Sequence, residues 1–356
     1  MSRVSHVSAE TSGETGDIGE NESSLSGEDS VGLTEGDAGE ETSGIVGSVM
    51  IPETSTRGLS AGTTAVGRVG AKTGAKKSSS SSGTIPKEIT NLFRLKVLNL
   101  SSNSLEGSLP SSLSKLVNLQ ILDLTSNTIT GLVPNQLGRL QKLQVLDLTI
   151  NNLTRTIPPC IYNISSLVYL VLASNNLYGQ FPRNIGDTLP NLLVFNICLN
   201  KFTGEIPDSL YNLTNIKVIR AAHNLLEGTV PSRLGNLPFL DMYNVGFNKL
   251  VWDKDQDLDH FIKSLSNSSH LNFLAFDGNL LEGVIPESIG NLSKNLSKLF
   301  MGGNRFTGKI PESIRHLTGL TLLNMSDNSL TGEIPREIGS LKGLQVLELA
   351  RNQLVW

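Results

Sequence analysis

The chain has 356 residues, of which 38% are hydrophobic and 17% charged, and its formal net charge is −4 at pH 7. This balance lacks the strongly basic footprint of nucleic-acid-binding proteins. No apolar run approaches the ~20 residues that a membrane-spanning helix needs, and the first residues lack the apolar stretch of a secretory signal.

Residues 1–82 differ in composition from the rest of the chain. They carry twelve acidic and six basic residues in Gly-, Ser- and Thr-rich sequence, and they end on five serines, Ser78 to Ser82. Such a segment cannot bury enough apolar surface to offset the conformational entropy that folding removes. We therefore predict a disordered, low-complexity tail over 1–82.

From residue 83 onward an asparagine recurs, mostly every 24 or 25 residues. Leucine or an equivalent residue lies eight, five and three positions before it, and another apolar residue lies two positions after it. The frame is therefore L-x-x-L-x-L-x-x-N-x-L. We call these residues the ladder asparagines, and they number the turns one to eleven: Asn103, Asn127, Asn151, Asn175, Asn200, Asn224, Asn248, Asn279, Asn304, Asn328 and Asn352.

Each copy of the frame predicts one turn of a coil. The two leucines of x-L-x-L-x point to one side of a short strand and their neighbours to the other side, because side chains alternate along a strand. Stacked turns then join their strands into one parallel sheet over a column of buried leucines. The asparagine amide is expected to bond backbone groups of its own and adjacent turns, and leaving those groups unpaired costs roughly 1–3 kcal/mol.

A second motif, Gly-x-Ile-Pro or a close variant, follows most ladder asparagines. Glycine permits a backbone conformation that is closed to other residues, and proline fixes φ and removes a backbone donor. The eight copies begin at Gly107, Gly131, Gly179, Gly204, Gly228, Gly283, Gly308 and Gly332.

The two motifs together resemble the plant-specific class of leucine-rich repeats. Residues 83–356 resemble the ectodomain of plant leucine-rich-repeat receptor-like kinases, and segments 157–167, 245–250 and 258–274 are most similar to the immune-receptor subfamily that includes the flagellin receptor. The resemblance implies an α/β repeat solenoid. It would be a right-handed superhelix with one long parallel concave sheet, an extra short strand in each turn, and short helical or 3-10 segments on the convex side.

Partial repeats stand at both ends of this predicted solenoid. Residues 83–86 match the end of a repeat whose first half is missing, and the chain stops four residues after Asn352. Terminal repeats need polar caps, and the paired cap cysteines of the resembled family are absent. We expect a truncated solenoid of about eleven turns, uncapped at both ends. Cys160 and Cys198 fall on opposite faces, so we expect no disulfide between them.

Two turns depart from the repeat. Arg155 stands where the second motif has glycine, so that turn must tolerate a side chain or shift locally. The long repeat, 249–279, lacks the second motif and carries seven extra residues. Apolar residues at i, i+3, i+4 and i+7 from Leu258 have the spacing of a helix face, and Asp257 precedes them as a candidate N-cap. We predict a helix there on the convex side.

The sequence predicts no enzyme, cofactor or metal site. The H-R-D and D-F-G motifs of the kinase domain that the resembled family carries are absent. Gly58 to Gly62 match the spelling of a nucleophile elbow but lie in the predicted tail. The alternating acids from Asp253 to Asp259 lack the central glycine and the closing acid of a calcium loop, so they indicate a solvated loop that enters a helix.

Candidate ligand-binding residues are expected on the concave face. Asp123 and Asp147 stand one strand apart, but aspartate is common at that position in the resembled family, which favours a structural role. Exposed aromatic residues and arginine are typical of binding hot spots, although scattered, half-buried strand packing is the alternative. The candidates on turns four to nine are Tyr169, Val171, Arg220, His223, Met242, Asn244, Phe247, Phe273 and Phe300.

Eight N-x-S/T sequons fall in the repeats. Asn163, Asn212 and Asn267 lie twelve residues before a ladder asparagine, which predicts one ridge away from the sheet. Asn99 and Asn324 are expected on concave strands near the two ends, where glycans would leave the middle of the face open. The possible N-glycosylation sites are Asn99, Asn152, Asn163, Asn212, Asn267, Asn291, Asn295 and Asn324.

Two functions fit these features. The first is a fragment of a plant receptor ectodomain that senses a peptide or protein signal in defence or development and meets a co-receptor kinase. The second is a secreted inhibitor of a pathogen's cell-wall-degrading enzyme, similar to the polygalacturonase inhibitors. A kinase or transmembrane segment in flanking sequence would favour the receptor, and cysteine caps with a signal peptide would favour the inhibitor. The resemblance implies the extracellular face of the plasma membrane, without insertion of this chain.

Overall fold

The computed structural model describes residues 65–66, 83–231, 237–252 and 257–355. The tail predicted over 1–82 lies outside the described residues, apart from a two-residue strand, Ala65–Val66. That strand pairs in parallel with Val97–Asn99, so the strand of turn one has a neighbour on both sides.

The main sheet is parallel throughout, and neighbouring strands come from consecutive turns of the coil. Its twelve strands are β1 (Ala65–Val66), β2 (Val97–Asn99), β3 (Ile121–Asp123), β5 (Val145–Asp147), β7 (Tyr169–Val171), β9 (Val194–Asn196), β11 (Val218–Arg220), β13 (Met242–Asn244), β15 (Phe273–Ala275), β17 (Lys298–Phe300), β19 (Leu322–Asn324) and β21 (Val346–Glu348).

The middle residue of each main-sheet strand from β2 to β19 points into the core. Leu98, Leu122 and Leu146 are at most 2% exposed, and they stand side by side because the strands pair without any shift in register. The predicted column of buried leucines is confirmed, and with it the leucine-rich-repeat solenoid.

A second set of short strands follows the ladder asparagines and confirms the extra strand that the resemblance implied. Among the described residues it forms two separate sheets, and the break between them falls in the long repeat. The six-stranded sheet contains β4 (Thr130–Gly131), β6 (Asn152–Arg155), β8 (Asn176–Gly179), β10 (Lys201–Gly204), β12 (Leu225–Thr229) and β14 (Lys249–Val251), and the four-stranded sheet contains β16 (Glu282–Val284), β18 (Arg305–Gly308), β20 (Ser329–Glu333) and β22 (Gln353–Val355).

Short helical segments return the chain from the second strands to the main sheet. The two α-helices are α1 (Ile185–Thr188) and α2 (Leu258–Ser264). None of the helices in the described ranges is long and apolar enough to cross a membrane. The 3-10 segments are Lys87–Asn91, Ser111–Lys115, Asn135–Arg139, Pro159–Asn163, Asp208–Asn212, Leu265–Asn267, Glu287–Asn291, Glu312–His316 and Arg336–Ser340.

Helix α2 lies in the long repeat where the sequence predicted it. Its N-cap is Asp257, whose side chain accepts the backbone N–H of His260 at 3.0 Å. Asp259 forms an ion pair with Lys263 and accepts a hydrogen bond from Ser288 at 2.5 Å. These two acids therefore have structural partners, while Asp253 and Asp255 lie outside the described residues.

The ladder asparagines bond the coil to itself. The Nδ2 atom of Asn127 donates to Leu100 O of the preceding turn and to Leu124 O of its own turn, both at 3.0 Å, and its Oδ1 accepts the N–H of Leu105 at 3.0 Å. All eleven asparagines donate to the carbonyls two and three residues earlier. The bonds to the preceding turn, such as those of Asn127 to Leu100 and Leu105, hold adjacent turns at a fixed spacing.

Arg155 adopts the conformation of the glycine it replaces. Its φ is 73°, and the glycines at the same position of other turns, such as Gly131 and Gly204, have φ values of 79° and 76°. The turn keeps its pairing, since Arg155 lies in β6 opposite Leu177 of β8. Of the two outcomes left open by the sequence, the turn tolerates the side chain and does not shift.

Candidate ligand-binding surface

The side chains on the free face of the main sheet stand in columns that run from turn to turn. We name three of them by their distance from the ladder asparagine: the entry column lies six residues before it, the central column four and the exit column two. The rim column is the residue directly before the asparagine. Strand register places Arg220, Asn244, Ala275 and Phe300 side by side in the central column.

Most side chains of the central column have a structural role in their own turn. In six turns its residue is Asn or Asp, and the side-chain Oδ1 accepts the backbone N–H two residues later at 2.9–3.2 Å. This asparagine or aspartate closes the strand end locally, which is what such side chains do in turns. The six residues are Asn99, Asp123, Asp147, Asn196, Asn244 and Asn324.

That role explains the pair of neighbouring aspartates. Burial raises the pKa of Asp147, and the nearby charge of Asp123 adds to the rise. Asp123 in turn accepts a hydrogen bond from the Nδ2 atom of Asn99 at 2.9 Å. Each of the two aspartates therefore has a hydrogen-bond partner within the repeats, which supports a structural role for the pair.

Two predicted contact residues are buried. Val171 is 2% exposed and Asn244 is 7% exposed. Neither residue can therefore offer a ligand a large contact area in this structure. Arg220, in contrast, is partly exposed and hydrogen-bonds the thiol of Cys198, whose pKa burial raises and Arg220 lowers.

An aromatic patch occupies the next turns along the same face. Phe273 and Phe300 contact each other with ring centroids 5.4 Å apart and a tilt of 35°. Met242 stands beside Phe273 in the entry column, because β13 and β15 pair these two residues. All three side chains are partly exposed. Tyr169, three strands away from Met242 in the same column, is also partly exposed.

His223 and Phe247 lie on the rim of the sheet and not on its strands. Both belong to the rim column, which has a left-handed backbone in every turn, with φ of 54° at His223 and 53° at Phe247. Their rings stack at 4.3 Å with an angle of 8°. Phe247 is 49% exposed, so the stack presents an open aromatic face beside the concave surface.

Asp277 is a candidate that the sequence reading missed. It is the charged residue of the exit column, whose other members are small or hydroxylic. Burial raises the pKa of its carboxyl to about 6. The signal was a departure from the repeat at a position next to the aromatic candidates, where other turns place Ser, Thr, Ala, Gly or Cys.

A groove of about 730 Å³ runs along the N-terminal ends of the strands. It is lined by the residues that directly precede four of them, Gln144, Val168, Leu193 and Lys217, together with Phe239. Phe239 is 47% exposed. The groove widens the apolar surface available next to the entry column.

The sequon asparagines divide into two groups. Six are exposed away from the main strands: Asn152, Asn163, Asn212, Asn267, Asn291 and Asn295. The other two lie on the concave strands, where the Nδ2 of Asn99 donates to Asp123 and that of Asn324 to Glu348 at 2.7 Å. Among the exposed six, the Nδ2 atoms of Asn212 and Asn295 donate as well. Cys160 and Cys198 are both free thiols, as predicted.

Comparison with known families finds matches to the repeat itself. The family described as leucine rich repeat matches residues 117–177 and 294–354, and the family described as leucine rich repeats (2 copies) matches residues 94–134. No curated protein sequence matches the chain.

Several solved structures are similar to this chain. A TDR receptor is 33% identical with a TM-score of 0.68, over 75% of this chain and 45% of its own. The plant peptide hormone receptor RGFR1 in complex with RGF2 is 28% identical with a TM-score of 0.53, over 77% and 50%. A leucine-rich-repeat protein of Leptospira interrogans is 32% identical with a TM-score of 0.61, over 76% and 64%.

This chain spans about half of the length of the two plant receptors. The similarity covers the repeats, and an identity near 30% is shared by a bacterial protein and by plant receptors. It therefore establishes the leucine-rich-repeat fold and its likeness to plant receptor ectodomains, while the ligand has to be argued from the surface.

Proposed function

We propose that this leucine-rich-repeat solenoid is a non-enzymatic module that binds an extended peptide along turns four to nine of its concave face. The observation that carries the proposal is the aromatic patch of Met242, Phe273 and Phe300, three large apolar side chains aligned on neighbouring strands and left partly exposed. Side chains of this kind form binding hot spots. The similarity to a plant peptide hormone receptor in complex with its ligand supports the same assignment.

The spacing of the residues suits an extended ligand. Arg220 and Phe300 lie three strands apart in one column, which is roughly 15 Å at the usual distance between strands. An extended peptide covers that span with about five residues. In this arrangement Phe300 takes an apolar side chain of the peptide, and Arg220 offers a planar guanidinium to a carboxylate.

The finer assignment follows the resemblance of segments 157–167, 245–250 and 258–274 to immune receptors. We propose a receptor fragment of that subfamily, acting at the extracellular face of the plasma membrane and meeting a co-receptor kinase once the peptide is bound. The six exposed sequons are the proposed glycan sites. Their positions away from the main strands leave turns four to nine accessible.

Substitutions on the concave face test this proposal. Peptides selected from a random-sequence library displayed on phage are titrated against the full chain and against Phe300→Ala and Arg220→Ala. Each substitution is expected to weaken binding by more than ~1 kcal/mol, about fivefold, as truncation of a hot-spot residue does. Lys115→Ala, on an exposed convex segment, is the matched control and leaves affinity unchanged. Wild-type affinity in both concave variants would refute the site.

A further inference from the structure

We propose that Asp277 and the aromatic residues of the two adjacent turns, Phe247 and Phe300, form a subsite for a cationic group of the bound peptide, either an arginine or lysine side chain or the amino terminus. The inference rests on the proposed function, because it assigns ligand chemistry to one part of the same concave face. It concerns a residue in the exit column, outside the set of candidates from which the peptide site was argued.

The neighbours of Asp277 in its column have no side chains. Gly246 precedes it and Gly302 follows it, one turn away on each side. A Cβ atom on Gly246 would overlap Asp277 Oδ1, so the carboxylate leans over the backbone of turn seven. A Cβ atom on Gly302 would come within 2.6 Å of Asn324 Oδ1. The carboxylate therefore occupies a space from which side chains of the adjacent turns are missing.

Two aromatic residues lie near this space, one in each adjacent turn. The ring of Phe247 covers Gly278, since a Cβ atom there would lie 2.7 Å from Phe247 Cδ1, and it stacks on His223. Phe300 lies on the next strand opposite Ala275, two residues before Asp277 in the chain, and its ring contacts Phe273. A cation between ring faces and a carboxylate gains from both, and guanidinium groups do so best.

The charge of Asp277 has no use in the fold. In the described part of the chain no basic side chain forms an ion pair with it, and the interaction that lowers its pKa against burial is a hydrogen bond with its own backbone N–H. In other turns the Asn or Asp of the central column accepts the corresponding N–H, but Ala275 cannot. An asparagine at 277 would supply that acceptor equally well without the charge.

A buried charge that local structure does not need is a cost to folding. Residues that lower stability are retained where they serve a site. The bound cation would pair with the carboxylate of Asp277. This pairing is favourable because a charge-assisted hydrogen bond in a partly buried place is stronger than one in water.

The test is a double-mutant cycle on the full chain. Peptides selected from the random-sequence phage library are synthesised in two forms, with free and with acetylated amino termini, and each Arg or Lys is replaced in turn by a neutral analogue, citrulline or norleucine. All forms are titrated against the wild type, Asp277→Asn and Asp123→Asn. Asp123→Asn is the matched control, since it removes a carboxylate from the same face six turns away.

We expect Asp277→Asn to weaken binding of the unmodified peptide about tenfold. Neutralising one cation of the peptide should weaken binding to the wild type by the same factor and leave binding to Asp277→Asn unchanged. If acetylation has that effect, the cation is the amino terminus, and if replacement of one Arg or Lys has it, the cation is that side chain. Asp123→Asn should bind as the wild type does.

The failures of the two proposals differ. Peptides that lose affinity in Phe300→Ala but bind Asp277→Asn as tightly as the wild type overturn the cation subsite and leave the proposed function standing. Peptides that Phe300→Ala and Arg220→Ala do not affect, or a selection that returns no binder, overturn both. Thermal unfolding followed by circular dichroism checks that each variant is folded.

Discussion

Left-handed backbone occurs at the rim column of every turn. Nine of these residues are not glycine, and Ile150 and Leu199, with φ of 53° and 55°, belong to types that rarely adopt this region. Each such residue costs roughly 1–2 kcal/mol, and the bonds of the following asparagine to its own turn and to the preceding turn offset the cost. The strain is therefore spread along the coil and is not a mark of the binding surface.

The carboxyl of Asp277 predicts a pH-dependent stability. Burial raises its pKa from 3.8 to about 6, so the folded state holds this proton to higher pH than the unfolded state. The stability that the group contributes is fully present below about pH 3.8 and is lost as the pH rises to about 6. Asp277→Asn should match the wild type near pH 4 and exceed it at pH 7.5 by on the order of 1–3 kcal/mol.

Urea unfolding at a series of pH values measures this difference. Burial lowers the pKa of His223, so this group destabilises the fold as the pH falls below the ordinary pKa of histidine. That contribution is common to both proteins and cancels in the comparison. A difference between the two proteins that stays constant from pH 4 to pH 7.5 would contradict the assignment.

At the scale of the element, one asparagine secures two neighbouring turns. Asn224 donates to Ile197 O at 3.0 Å and to Ala221 O and Ala222 O at 3.2 Å, and it accepts the N–H of Phe202 at 3.0 Å. These groups are buried, so water cannot replace the lost partner.

Asn224→Ala is therefore expected to destabilise the fold by roughly 3 kcal/mol or more, given about 1–3 kcal/mol for each group left unpaired. Asn103→Ala is the matched control, because within the described residues Asn103 makes two hydrogen bonds, both only partly buried, and a smaller loss is expected. Denaturant unfolding compares the two variants. Equal losses would show that the contacts between turns contribute little.

At the scale of the whole molecule, burial falls towards the last turn. Leu323 in turn ten is 0% exposed, while Leu347, the equivalent residue in turn eleven, is 40% exposed and Val346 beside it is 38% exposed. Within the described residues β21 pairs on one side only. Exposed strand edges of this kind pair with other molecules.

A polypeptide of these 356 residues prepared on its own is therefore expected to self-associate through turn eleven. Sedimentation velocity over a concentration series measures the association, and Val346→Lys should reduce it because charge on an edge strand opposes pairing. Lys298→Val, which adds an apolar side chain to an inner strand of the same column, is the control and should not mimic the edge. A concentration-independent monomer would contradict this expectation.

The sequence by itself determined the periodic part of this protein. Eleven asparagines in a leucine frame specify eleven turns, because each turn must bury the same apolar side chains and pair the same backbone groups. The period also predicted the strand positions, and the helical spacing of the apolar residues after Asp257 predicted α2. These features depend on residues close together in the chain.

Only the tertiary structure decided which concave residues are available. Val171 and Asn244 occupy the same column as partly exposed residues of other turns, yet they are buried. The stack of His223 on Phe247 and the unpaired charge of Asp277 likewise arise between turns. A repeat pattern states what each turn has in common, whereas exposure, ring contacts and pKa depend on how the unlike residues of adjacent turns meet across the coil.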